Sequence, residues 1–150
     1  MKITSLLQPE LIKLELTSAT KQGAIDELID VLNVNERLHD VEKFRTAILA
    51  REAICSTGIG KGIAIPHSRD ESIREVSIAL GRSREGIDFQ ALDNGNVHLI
   101  LLLAAPMSAG GVYLQALARL SRVLRNPQNR QKIMEADAEQ LIIDILGGAD

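Results

Sequence analysis

A chain of 150 residues with 45% hydrophobic and 25% charged residues can bury one ordinary core and still face water. Its net charge of −3 and its 2% of aromatic residues, with no tryptophan, exclude the cationic surface and stacking platforms of a general nucleic-acid binder. One cysteine excludes an internal disulfide framework, the N-terminus shows no signal-peptide core, and no apolar run spans a bilayer; one cytoplasmic domain over residues 1–150, without membrane insertion, is expected.

The first element is "LIKLEL", where Ile12, Leu14 and Leu16 alternate with charged residues, the period of a half-buried strand. Ile25, Leu28, Ile29 and Leu32 then recur at the spacing of one helix face, behind Ser18 or Thr20 as a cap. Asp40 heads a second helix to about Glu52, with Val41, Phe44 and Ile48 turned inward. A glycine-rich stretch follows and ends in a short strand over residues 62–65, and "VSIALGRS" alternates Val76, Ile78 and Leu80 as another. "LDNGNV" is a turn signal introducing "VHLILLLAA", whose unbroken apolar character suits a central strand buried on both faces. From Val112 the helical period returns, with Tyr113, Leu117, Leu120 and Leu124 on one side. Two shorter helices, over 127–135 and 138–146, end the chain, the second stopped by Gly147 and Gly148. Strands mixed with helices predict an α/β fold: a single-domain three-layer sandwich, a mixed β-sheet flanked by helices.

The stretch "STGIGKGIAIPHS", residues 56–68, concentrates the chemistry on one imidazole. Gly58, Gly60 and Gly62 permit positive φ and close backbone approach, so their amides are expected to form a nest for an anion. Ile63 and Ile65 anchor the strand, and Pro66 stiffens the chain before His67. Ser56, Thr57 and Ser68 offer hydroxyls, and Arg51, at the end of the preceding helix, offers a guanidinium. A rigid histidine among such groups fits phosphoryl acceptance better than hydrolysis, because phosphoryl transfer asks mainly for positioning and charge stabilisation. One ring nitrogen would attack while the other keeps its proton against an acceptor. Spacing alone leaves the plainer alternative open, a turn followed by a surface histidine.

The glycines match neither a nucleotide P-loop nor the dinucleotide fingerprint, and the three histidines and Cys55 lack ligand spacing, so no cofactor and no metal is expected. His39 reads as a solvated loop residue, His98 as a structural histidine opening the central strand, and Cys55 as a small buried residue.

"REAICSTGIGKGIAIPHS", together with "IDFQALDNGNVHLILLLAAP", resembles the fructose/mannitol-type enzyme IIA domains of the bacterial phosphotransferase system, most of all their nitrogen-related branch. The resemblance covers nearly the whole chain. It implies a mixed sheet between helices and a phosphohistidine cycle in which a histidine-containing phosphocarrier donates to His67. In transport branches the group passes to a IIB domain; in the nitrogen-related branch its presence regulates potassium-handling and metabolic proteins. With no IIB or IIC segment attached, the regulatory branch is the expected one, and a stand-alone sugar-specific IIA is the alternative. The resemblance gives Arg51 and Thr57 the roles of charge neutralisation and phosphoryl hydrogen bonding. Two positions depart from the pattern. Ser68 stands where a very small residue is usual, and Tyr113 stands where members carry a second histidine. Tyr113 donates one hydrogen bond but supplies no imidazolium, so a further alternative is a regulatory binding module with weakened transfer.

Overall fold

The protein is described from a computed structural model, which describes residues 1–54 and 56–149. The expectation for Cys55 lies outside them. Thr20 caps helix α1 (Lys21–Val34), its hydroxyl accepting from the Gly23 amide at 3.1 Å. Asp40 does the same for α2 (Val41–Ile54) through the Lys43 amide at 3.1 Å. Between α2 and the C-terminal helices lie five strands: β2 (Gly58–Gly60), β3 (Ile63–Ala64), β4 (His67–Arg69), β5 (Ser77–Ile87) and β6 (Val97–Ala105). With β1 (Ile12–Lys13) they form one mixed sheet in the order β1-β5-β6-β3-β2, with β4 also on β6. Helices α3 (Gly110–Arg125), α4 (Pro127–Glu135) and α5 (Glu139–Leu146) follow.

The expected sandwich is what forms. Helix α1 packs on β5 and β6 and on α2, which also meets β4; α3 packs on β6 and gathers α4 and α5. Residues 99–105 of β6 are all buried, as the apolar run requires, and each fully buried leucine or isoleucine contributes about 1.5–3 kcal/mol. Phe44 and Phe89 are both buried, so the scarce aromatics go to the core.

Four strands differ from the periodicity reading. Strand β1 is shorter than "LIKLEL", because after Lys13 the chain leaves the ladder to hand the amides of Thr17 and Ser18 to Glu27. Strand β5 is longer and crosses a register shift between Arg82 and Ile87, with Gly86 at φ 89°. Strands β2 and β4 are additional to that reading, and β4 carries the histidine.

Strands β3 and β4 run in line along the same edge of β6. Ile63 stands opposite Leu99 and Ala64 opposite Ile100; after the two-residue interruption of Ile65 and Pro66, His67 stands opposite Leu103 in unbroken register. Proline has no N–H to give the ladder, but its carbonyl still accepts from the Leu103 amide at 2.9 Å. Alternation along β4 sends His67 and Arg69 to one face of the sheet and Ser68 to the other.

The glycines build the β2–β3 hairpin. Gly60, Lys61 and Gly62 carry φ of 92°, 59° and 79°, a left-handed turn that L side chains resist and glycine adopts freely. Lys61 is held there by its amide, which donates to Asp93 Oδ2 at 3.0 Å.

Candidate functional site

His67 is half-buried at the start of β4, and its Nδ1 lies 2.6 Å from the carbonyl oxygen of Ile65. A carbonyl only accepts, so Nδ1 carries the proton and the lone pair of the neutral ring sits on Nε2. Tyr113, in the first turn of α3, meets the imidazole edge-on, with 6.0 Å between ring centroids and 62° between planes. Arg69 completes the group: its guanidinium carbon lies 5.9 Å from the centre of the Tyr113 ring. Burial raises the Tyr113 phenol above its ordinary range, and the charges of Arg51 and Arg69 act against that shift. The phenol therefore stays protonated near neutral pH and able to donate.

His67, Tyr113 and Arg69 thus lie together, and the charge of Arg51 reaches the same phenol. The other expected residues go elsewhere. Ser68 is only 9% exposed and faces away from His67 across the sheet. Ser56 donates its hydroxyl to the Phe89 carbonyl and accepts from the Gly58 amide at 3.1 Å, stapling the loop to the 88–90 segment. Thr57 is 5% exposed; its hydroxyl and its amide (3.1 and 3.2 Å) both donate to the Glu52 carboxylate. Glu52 is itself buried and paired with Lys21 at 2.6 Å. Of the glycines expected to form a nest, Gly58 donates its amide to Ser56, and Gly60 and Gly62 lie in the hairpin turn. Gly60 pairs with Ile63, and the four-residue step from Ile63 to His67 puts the turn about 13 Å along the sheet.

Two participants escaped the sequence reading. Arg69 was readable from the period-two pattern His67-Ser68-Arg69, had the strand been continued past Pro66. The Glu52–Lys21 pair had no such signal, because Lys21 lies far away in sequence. His98 is a structural histidine, with Nδ1 3.0 Å from the Ser83 carbonyl, and His39 is exposed. Among the described residues no helix is long and apolar enough to cross a membrane.

With this geometry in hand, comparison with known proteins is informative. The family model for EIIA 2 of the phosphoenolpyruvate-dependent sugar phosphotransferase system matches residues 5–148. The fructose-specific EIIABC component of Bacillus subtilis is 43% identical over 150 residues, and the chain spans 24% of that protein's length. The fructose-specific EIIA component of Haloferax volcanii is 38% identical over 96% of this chain and 94% of its own. Among solved structures, the nitrogen regulatory protein IIA-Ntr of Neisseria meningitidis superposes with a TM-score of 0.89 at 29% identity, over 96% of this chain and 98% of its own. Signature, sheet order and coverage agree, and the chain belongs to the EIIA 2 family of the phosphoenolpyruvate-dependent sugar phosphotransferase system.

Proposed function

We propose that the protein is a phosphoryl carrier whose acceptor atom is Nε2 of His67. The observation that carries this reading is the bond from Nδ1 to the Ile65 carbonyl, which fixes the tautomer and leaves Nε2 as the nucleophile. In the forward step the Nε2 lone pair forms a bond to phosphorus while the nitrogen–phosphorus bond of a phosphohistidine donor breaks, its electron pair returning to the donor ring. The proton stays on Nδ1, donated to the Ile65 carbonyl throughout, which stabilises the positive charge the ring takes on. The incoming group brings up to about two negative charges, and Arg51, Arg69 and the Tyr113 hydroxyl are the groups available to meet them. Thr57 acts from behind, through Glu52, by holding the loop.

The donor in this reading is a histidine-containing phosphocarrier, and the carrier works in the cytoplasm. Its destination is a IIB-type acceptor of a fructose-class system, supported by the 43% and 38% identities to fructose-specific relatives. A second reading, regulation of partner proteins by phosphorylation state, is supported by the likeness to IIA-Ntr along nearly its whole length.

Incubation with phosphoenolpyruvate and the two upstream carrier proteins tests the acceptor. The intact protein should gain the mass of one phosphoryl group, acid-labile and absent in His67→Ala. No gain in the wild type refutes the carrier reading and favours a binding module instead. Adding a fructose-class IIB protein to the labelled carrier then separates the destinations: loss of label to IIB supports transport, and retention supports regulation.

A further inference from the structure

We infer that Arg69, positioned by the ring of Tyr113, is a second cationic ligand of the phosphoryl group carried at His67; this rests on the reading of His67 as the acceptor. Two residues along one strand, His67 and Arg69 project from the same face about 7 Å apart at the backbone, within the reach of an arginine side chain. The guanidinium is held in place from two sides. Its carbon lies 5.9 Å from the Tyr113 ring centre, inside the range in which a cation is attracted to an aromatic face. Its Nη1 lies against Gly110 at the start of α3, so closely that a Cβ there would come within 2.8 Å of it.

The same ring that carries Arg69 touches His67. Tyr113 meets the imidazole edge-on at 6.0 Å, so one side chain fixes the distance between the cation and the acceptor. Arg51 acts on that phenol as well. Among the described residues no carboxylate forms an ion pair with Arg69. An arginine fork matches a phosphoryl group with two parallel N–H bonds. The phosphoryl group acquired by His67 is an anion within reach of the Arg69 fork. In this arrangement Tyr113 works through its ring, as a positioning residue for Arg69, and its hydroxyl is secondary.

The test compares wild type, Arg69→Ala, Arg69→Lys, Tyr113→Phe and Tyr113→Leu, each incubated with the same phosphorylated donor. It reads the equilibrium fraction of phosphoryl group on His67, its salt dependence and the phosphorus chemical shift. Arg69 is exposed, so its replacement leaves the core intact, and equal denaturant midpoints check this. Arg69→Ala should move the equilibrium toward the donor by about tenfold or more and flatten its salt dependence. Arg69→Lys should recover part of the loss, Tyr113→Phe, which keeps the ring and removes only the hydroxyl, should lose far less than Tyr113→Leu, and Tyr113→Leu should resemble Arg69→Ala. A wild-type equilibrium and phosphorus shift in Arg69→Ala overturn the inference while leaving the carrier reading intact. Tyr113→Phe as impaired as Tyr113→Leu overturns the platform and gives the role to the hydroxyl. A wild type that takes up no phosphoryl group overturns the carrier reading and this inference with it.

Discussion

The carbonyl of Ile65 stands 2.6 Å from Nδ1 of His67, two residues further along the same chain. Pro66 lies between them with φ fixed by its ring, so the backbone itself selects which ring nitrogen holds the proton. In nitrogen NMR of ring-labelled protein above the imidazole titration, His67 should show a protonated Nδ1 and a bare Nε2, and the phosphorylated protein should carry phosphorus on Nε2. The opposite tautomer, or phosphorus on Nδ1, would remove the assignment of the nucleophile.

Glu52 and Thr57 set up the same site from the interior. The Glu52 carboxylate is 6% exposed and takes the Thr57 amide, the Thr57 hydroxyl and Lys21, tying α1, α2 and the loop before β2 at one point. Removing the carboxylate leaves the buried Thr57 amide and hydroxyl without their acceptor, and Lys21 with the Phe89 carbonyl and ring. Glu52→Ala should therefore lower stability by roughly 3 kcal/mol, read from the urea midpoint. Thr57→Val keeps the shape but loses the hydroxyl, and should cost about 1 kcal/mol while leaving His67 phosphorylation near the wild-type level. A large fall in phosphorylation at full stability would return Thr57 to direct contact with the phosphoryl group.

The helices and the central strand were legible because their signals are local. The spacing of Ile25, Leu28, Ile29 and Leu32 gives the buried face of α1, and the turn residues before Val97 give the start of β6. Strand β4 was hidden by Pro66, which reads as a strand end; the ladder nonetheless resumes because the Pro66 carbonyl still pairs with Leu103. His67 was legible through its flanking pattern, and its acceptor could be demanded but not named until the chain was seen to fold back on Ile65. Nearness in sequence points to the hydroxyls of Ser56, Thr57 and Ser68 as ligands. In the fold, strand alternation turns Ser68 to the opposite face and Glu52 and Phe89 hold Thr57 and Ser56, and none of these contacts is visible without the third dimension. The influence of Arg51 on Tyr113, far apart in the chain, follows from the packing of α2 on β4 and of α3 on β6.

Glu27 gives the fold a defined acid weakness. Burial disfavours its charged form, but the hydroxyls of Thr17 and Ser18, the Thr17 amide and Lys13 outweigh burial and lower the carboxyl from 4.5 to about 2. A folded value below the unfolded one means that the stabilisation is complete above the unfolded value and is lost as pH falls toward the folded one. With the side chain only 12% exposed, the shift corresponds to as much as about 3 kcal/mol at neutral pH. Urea midpoints of wild type and Glu27→Gln should differ by up to that amount at pH 7 and converge between pH 4.5 and about 2. A gap that persists unchanged below that window would place the effect in packing rather than charge.

Arg82 is the largest fully buried side chain, at 2% exposure, and its partners are carbonyls. Its Nε donates to Leu14 at 3.0 Å, and its Nη1 donates to Ile133, Met134 and Ala136 at 2.9, 3.3 and 2.7 Å. Those last three lie at the C-terminal end of α4, where the helix dipole is negative and the final carbonyls lack partners within the helix. Burial lowers the guanidinium pKa, and the like charge of Arg84 adds to that, with Glu15 opposing; arginine nonetheless remains protonated. Replacing a buried ion pair with apolar residues is often neutral, because both charges leave together. Here the carbonyls stay behind, so Arg82→Met should cost roughly 3 kcal/mol or more. Arg82→Lys, with fewer donors and no fork, should fall between. Hydrogen exchange locates the damage, because loss of this anchor should expose amides at the end of α4 and beside Leu14 before those of β6. A midpoint unchanged in Arg82→Met would mean that water reaches the end of α4 and takes over the carbonyls.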